Sequence, residues 1–146
     1  MTKRMKSTIL VVVQFAMLAF LAATGPWLPR HTVGLFVQLV GLAVGLWAVL
    51  TMRVDRVHVF PEVRHDATLL HHGPYRFIRH PMYLSLLLIT LPLVVTAFSA
   101  WRLAAWLALL VNLLLKLHHE ERLLVAHFPG YAGYQAQTSR LLPWMY

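Results

Sequence analysis

The sequence predicts an all-α protein, a polytopic membrane helix bundle with about four transmembrane helices in a single domain of residues 1–146. Of its 146 residues 59% are hydrophobic, and the mean hydropathy is +0.63. A soluble domain with one packed core is less apolar than this. The apolar residues also fall into long runs, separated by short segments of turn-forming residues and arginines. Such a pattern is typical of a chain that crosses a bilayer several times.

The composition also argues against several function classes. The net charge of +8 would suggest nucleic-acid binding, but the basic residues lie between the apolar runs and do not form one basic face. We therefore expect the lipid bilayer, and no nucleic acid, as a partner. The chain contains no cysteine, which excludes disulfides, thiolate metal sites and a cysteine nucleophile.

The first span is predicted over residues 7–24, where a Gly-Pro pair ends it. Three basic residues precede it, and the positive-inside rule would keep them in the cytoplasm: Lys3, Arg4 and Lys6. A cleavable signal peptide is the alternative interpretation. We disfavour it because the apolar run is long and no clear small-x-small cleavage site precedes the Gly-Pro pair.

The second span is predicted over residues 33–52 and contains a pair of glycines, Gly41 and Gly45, one helical turn apart. Such a pair lets two helices approach closely. We expect this surface to pack against another helix of the same protomer and not to be a dimer interface. The oligomeric state itself stays open.

The segment of residues 53–80 is polar and rich in arginine, so we expect a cytoplasmic loop. Residues 57–61 suggest an extended connection, and residues 66–70 suggest a short interfacial turn of helix.

The third and fourth spans are predicted over residues 82–100 and 101–117, joined by a tight connection, and Pro92 should kink the third helix. On this topology only Arg30 and Arg102, of the 13 Lys and Arg residues, lie outside. This bias predicts an integral protein of the inner (cytoplasmic) membrane with both termini in the cytoplasm.

The C-terminal segment of residues 118–146 is predicted to be cytoplasmic or interfacial. The fourth helix should continue past the membrane and end before Pro129. Residues 131–138 then suggest a short amphipathic helix that lies back over the functional site. Trp144 and Tyr146 would anchor the tail at the interface.

The loop before the third span holds the most informative stretch, residues 69–83. Pro81 pushes His80 out of the α region and suits the first position of a helix, so a helix should begin there. The N–H groups of its first turn, with Arg76 and Arg79 nearby, would form a good binding site for a carboxylate or phosphate. The alternative is a charged interfacial loop that only caps a membrane helix.

Four motifs follow one another in the second half of the chain. They read Gly73-Pro74-Tyr75-Arg76, then Arg79-His80-Pro81-Met82-Tyr83, then Glu120-Glu121 after a helical hairpin, and finally Arg140-Leu141-Leu142-Pro143 after an aromatic segment. In this order and spacing they resemble the signature of the isoprenylcysteine carboxyl methyltransferase family of integral-membrane enzymes. The resemblance covers residues 69–146 and does not extend to the first two spans.

The resemblance implies S-adenosylmethionine as cofactor, with S-adenosylhomocysteine as its product, and no metal. It also implies a lipophilic or lipidated acceptor, of which a carboxylate is one candidate. The residues that would bind the cofactor are Gly73, Pro74, Tyr75, Arg79, His80, Pro81, Tyr83, Glu120 and Glu121. The residues with an implied catalytic role are Arg140, which would orient the acceptor, and Glu121.

Two groups of these residues also have simpler interpretations. Adjacent helix positions diverge by about 100°, so we expect only one of Glu120 and Glu121 to face inward. A solvated helix end, with Glu120 paired to Lys116, is the alternative. The nine histidines suggest a metal site, but they lack the His-x-x-His-His spacing of membrane di-iron enzymes. We therefore interpret them as interfacial side chains, with the exception of His80.

The function that these observations favour is methyl transfer to an acceptor in or at the membrane. One rival is a non-enzymatic membrane accessory or assembly protein, which the first half of the chain fits equally well. A small four-helix transporter is the other, but the first three spans lack the ionisable residue that a transport pathway normally carries. The identity of the acceptor, and whether oxygen, nitrogen or sulfur is methylated, does not follow from the sequence.

Overall fold

The computed structural model describes residues 3–52 and 72–143. This part of the chain contains a 3₁₀ turn, Gly73–Arg76, and five α-helices: α1 (Lys3–Ala23), α2 (Thr32–Met52), α3 (Pro81–Thr96), α4 (Ala100–His127) and α5 (Tyr131–Gln137). The predicted extended connection and helical turn within residues 53–71, and the predicted anchors Trp144 and Tyr146, lie outside the described residues.

Three of these helices are long and apolar enough to cross a membrane, and α3 is a shorter apolar helix. The candidate spans are Met5–Ala23, Thr32–Met52 and Ala100–His127. Large apolar side chains cover the outside of α2, among them Phe36 at 67% and Leu46 at 61% exposed. Such a surface suits lipid and not water. The prediction of an all-α membrane helix bundle is confirmed.

The connection between α3 and α4 is tight, and α3 ends earlier than the sequence predicts. The helix ends at Thr96 instead of residue 100. Ser99 is already extended and accepts a hydrogen bond on its Oγ from the Arg102 N–H at 3.2 Å. The residues before α4 are therefore used to cap that helix and cannot continue α3.

α2 and α3 pack closely and run antiparallel. A Cβ on Gly41 would lie 2.8 Å from the Leu88 Cβ, and one on Gly45 would lie 2.9 Å from the Ser85 Oγ. Both distances are shorter than real side chains allow, so only glycine permits this separation. The predicted packing of the glycine pair within one protomer is confirmed.

α1 and α4 also run antiparallel. Near the start of α4, the guanidinium of Arg102 donates to the carbonyl oxygens of Leu21 and Leu93 at 3.1 and 3.0 Å, and to Thr24 Oγ1 at 2.8 Å. Further along, Asn112 Nδ2 donates to the Leu10 carbonyl at 3.0 Å. The start of α1, the start of α3 and the end of α4 consequently lie at the same end of the bundle.

The core follows one stripe of α4. Leu109, Leu113 and Leu117 recur every four residues and have 0% exposure. They pack in one cluster with Leu21 of α1 and Leu87 of α3. This apolar core fixes the position of α4 along the axis of α3. It therefore also fixes where the polar residues at the end of α4 lie.

Candidate functional site

The site begins at the start of α3, where the predicted helix start at Pro81 is observed. His80 is the N-cap residue and Pro81 occupies the first turn. The N–H groups of Tyr83 and Leu84 both donate to the His80 carbonyl, at 3.1 and 3.2 Å. Proline has no N–H, the Tyr83 N–H is used by the His80 carbonyl, and the His80 N–H donates to the Arg140 carbonyl. The helix start therefore offers fewer donors to an anion than the sequence suggested.

The 3₁₀ turn lies before α3, and its first two residues are Gly73 and Pro74. Gly73 has φ of +60°, and a Cβ there would lie 2.5 Å from Thr51 Oγ1 on α2. The turn buries Pro74 and Tyr75. The Tyr75 hydroxyl is buried and has no hydrogen-bond partner among the described residues. Burial raises the pKa of Tyr75, with smaller contributions from Tyr134 and Glu120, so the hydroxyl keeps its proton.

The C-terminal tail pairs with the loop that precedes α3. Ile78 and Ser139 form a parallel β-bridge. The N–H groups of Arg79 and His80 donate to the carbonyl oxygens of Ser139 and Arg140, at 2.8 and 3.1 Å. The predicted short helix after Pro129 is observed as α5, and this pairing brings the tail that follows it to the site.

The side chain of Arg79 is turned inward and is 7% exposed. Its Nε donates to Glu121 Oε1 at 2.6 Å, and its Nη1 donates to the carbonyl oxygens of Gln135, at 3.0 Å, and of Thr138. These donors of Arg79 therefore face Glu121 and the tail, and not an anion at the helix start as the sequence suggested. Arg76, the other basic residue of that expectation, is exposed.

Glu121 is the most enclosed carboxylate of the site, with a side chain 6% exposed. Besides its contact with Arg79, Glu121 forms an ion pair through Oε2 with Arg140 Nε at 3.2 Å and accepts a hydrogen bond from Gln135 Nε2 at 3.3 Å. Two guanidinium groups therefore lie beside this buried carboxylate and compensate its charge. Glu121 thus joins α4, the loop before α3 and the tail.

Glu120 faces the same site from the neighbouring position of α4, with a side chain 20% exposed. Its Oε1 accepts from the Tyr83 hydroxyl at 2.5 Å, and its Oε2 lies 3.5 Å from His80 Nδ1. The expectation that only one of the two glutamates faces inward is wrong. The two side chains do diverge, but the ring of His80 lies between them. The alternative pairing with Lys116 is not observed either, since Lys116 Nζ donates to Gln14 Oε1 at 3.0 Å.

His80 is 8% exposed and lies at the centre of the site. Its Nε2 lies 3.6 Å from Glu121 Oε1, too far for a hydrogen bond, and has no hydrogen-bond partner among the described residues. Its ring is parallel to that of Tyr83, with centroids 5.3 Å apart. Lys116 Nζ lies 5.2 Å from the centroid of the same Tyr83 ring.

The structure thus brings together most of the residues predicted for the site. A chain of pairwise contacts connects six of them: Arg79, His80, Tyr83, Glu120, Glu121 and Arg140. Tyr75 is bound to α5 instead, because its carbonyl accepts from the Tyr134 hydroxyl at 2.5 Å. Gly73, Pro74 and Pro81 contribute backbone shape.

Several residues of the site were not predicted: Lys116 with its partner Gln14, and Gln135 and Thr138 of the tail. For Lys116 a signal exists, because an ionisable residue inside a predicted span is a candidate functional residue. Gln135 and Thr138 carry no comparable signal. In the part of the chain that the structure describes, no group of three or more His, Asp or Glu side chains is arranged to hold a metal ion.

Residues 33–126 match the model of the isoprenylcysteine carboxyl methyltransferase (ICMT) family, well over half of the chain. The match includes α2, which the four motifs do not reach, so the likeness extends further toward the N-terminus than the sequence analysis expected. It ends before α5 and Arg140. No curated protein and no solved structure matches the chain significantly.

Proposed function

Because this chain belongs to the isoprenylcysteine carboxyl methyltransferase family, a family of methyltransferases, we propose that it transfers a methyl group from S-adenosylmethionine to a lipophilic or membrane-associated acceptor. The observation that carries this proposal is the position of His80. Its ring is buried between two carboxylates, and its Nε2 has no hydrogen-bond partner among the described residues. A buried polar atom without a partner is costly, and a bound ligand can supply the partner.

The polar groups of the site fit the cofactor. S-adenosylmethionine, when bound, would supply a methyl group on an electrophilic sulfonium and would bring an ammonium, ribose hydroxyls and an adenine. Glu120 is the carboxylate suited to the ammonium or the hydroxyls, because it is partly exposed. The parallel rings of His80 and Tyr83 form a stacked pair, which a planar base can extend. The buried Tyr75 hydroxyl offers a proton donor.

The contacts of Glu121 and Arg79 support a positioning role for both. Glu121 is already bound by Arg79, Arg140 and Gln135. Removing either charge would leave the other buried. These two residues hold the tail beside the helix start, where Gly73, Pro74 and Pro81 shape the backbone around the cofactor.

Arg140 is the residue we assign to the acceptor. Its side chain is 32% exposed while its Nε is held by Glu121, so it lies at the border of the site. A guanidinium can hold a carboxylate through two parallel hydrogen bonds. A carboxylate acceptor would need no base. A phenol, thiol or protonated amine would need one, for which Glu120 and His80 are the candidates.

The experiment that tests the proposal uses membranes from cells that express the chain, incubated with S-adenosylmethionine labelled in its methyl group. We expect label in the organic extract that is absent from membranes of cells without the chain. Release of volatile methanol by mild alkali would identify a methyl ester and so a carboxylate acceptor. Equal label in both extracts would contradict the proposal.

A further inference from the structure

A groove lies between α1 and α4, apart from the candidate site. It has a volume of about 250 Å³ and is lined by Lys6, Ile9, Leu10, Leu115 and His119. Ile9 and Leu115 are 46% and 57% exposed, so the groove opens to the outside of the bundle. We refer to it as the α1–α4 groove.

The lining of the α1–α4 groove divides into two chemical parts. Ile9, Leu10 and Leu115 make most of the lining apolar, whereas Lys6 and His119, whose side chains end in nitrogen-bearing groups, complete it. Lys6 is exposed and His119 is half-buried. A groove that is apolar along its length and basic at its end complements an anion attached to a hydrocarbon chain.

The place of the groove in the bundle agrees with this chemistry. Because α1 and α4 are antiparallel, Lys6 in the first turns of α1 lies beside His119 near the end of α4. The first turn of α1 also carries Lys3 and Arg4 in the sequence. Basic residues at the end of a membrane helix lie at the level of lipid headgroups. Ile9 and Leu115 are nearer the middle of their helices, where the acyl chains would be.

We propose that the α1–α4 groove binds one anionic phospholipid, with the phosphate at Lys6 and His119 and the upper part of an acyl chain along Ile9, Leu10 and Leu115. The volume of the groove holds the phosphate end and the first part of a chain, and the rest of the lipid lies in the bilayer. This inference does not depend on the proposed methyl transfer, because none of the five lining residues contacts the candidate site through any interaction described above.

Native mass spectrometry of the detergent-purified chain tests this proposal, because it counts the lipids that stay bound. The probe is dioleoylphosphatidylglycerol, compared with dioleoylphosphatidylcholine. We expect one phosphatidylglycerol to be retained at about fivefold lower concentration than phosphatidylcholine, as the attraction of a basic residue for an anionic lipid implies. Inorganic phosphate should not compete, because the apolar part of the groove adds to the affinity.

The variants are Lys6→Gln and His119→Gln, with Arg122→Gln as the matched control on the same end of α4. Arg122 is exposed and is not part of the groove lining. Each groove variant should lose the preference for phosphatidylglycerol, and the control should keep it. Equal retention of the two lipids by the parent, or an equal loss in Arg122→Gln, would overturn the proposal. Displacement of phosphatidylglycerol by inorganic phosphate alone would overturn the lipid part of it.

Discussion

The Arg79 guanidinium and the Glu121 carboxylate are 42 positions apart in the chain and form a buried ion pair with Nε and Oε1 2.6 Å apart. The pair joins the loop before α3 to the end of α4. Through its Nη1, the same arginine also binds two carbonyl oxygens of the tail. One side chain thus connects three segments that are distant in sequence and together form the candidate site.

Replacing Arg79 by Gln should therefore destabilise the protein. The change leaves Glu121 with one guanidinium fewer in a buried place, and losing one partner of a buried pair costs about 3 kcal/mol or more. Thermal unfolding in detergent should show a clear decrease in midpoint. Arg76→Gln is the control, since Arg76 is exposed in the same loop. Equal midpoints for the two variants would contradict the structural role of Arg79.

A second prediction concerns the opposite end of the bundle. Arg102 is 3% exposed and binds the carbonyl oxygens of Leu21 and Leu93, so it ties the end of α1 to the end of α3. Arg102→Met should cost about 2 kcal/mol or more, because three hydrogen bonds from a buried charged donor are lost and the Leu21 carbonyl loses its partner. Arg30→Met, at an exposed position, should leave the unfolding midpoint unchanged. A midpoint for Arg102→Met equal to that of the parent would refute this role.

Replacing a glycine by alanine should have opposite effects on stability at Gly41 and at Gly133. Gly41→Ala places a Cβ 2.8 Å from the Leu88 Cβ and 3.0 Å from the Ile89 backbone nitrogen. It should destabilise by about 1 to 3 kcal/mol through overpacking. Gly133→Ala meets nothing within 4 Å in α5 and should be neutral or stabilising, since alanine favours a helix over glycine. Destabilisation by Gly133→Ala and not by Gly41→Ala would contradict the packing of α2 on α3.

The orientation in the membrane remains a prediction from the arginine distribution. The chain has no cysteine, so single cysteines can be introduced without a background. In intact cells, Thr68→Cys should be shielded from an impermeant thiol reagent, whereas Thr32→Cys should react. Labelling of Thr68→Cys from outside the cell would contradict the predicted orientation.

Features of the fold that depend on local chemistry could be predicted from the sequence. Pro81 starts α3 because proline has no N–H to lose at a helix start. Gly41 and Gly45 mark a close helix contact because no other residue fits there. The motifs likewise identified the residues that meet at the site, since Tyr83, Glu120 and His80 are in contact.

What the sequence could not predict is which partner each charged group chooses. From the sequence, Arg79 could face an anion at the helix start or turn toward Glu121. The parallel bridge between Ile78 and Ser139 brings the tail beside the loop that carries Arg79, and the side chain turns toward Glu121. Glu120 and Glu121 do diverge on the helix, as adjacent positions must. The position of His80 between them depends on how α3 packs against α4, which no local pattern encodes.

We propose that Glu120 binds the cofactor and that Glu121 holds the three segments of the site together. Calorimetric titration with S-adenosylhomocysteine distinguishes these two roles. Glu120→Gln keeps the size of the side chain and removes its charge. We expect it to unfold at the parent's temperature and to bind about tenfold more weakly, near 1.4 kcal/mol. Glu121→Gln should instead lower the unfolding midpoint, because Arg79 and Arg140 lose their shared carboxylate. An affinity of monodisperse Glu120→Gln equal to that of the parent would show that Glu120 does not bind the cofactor.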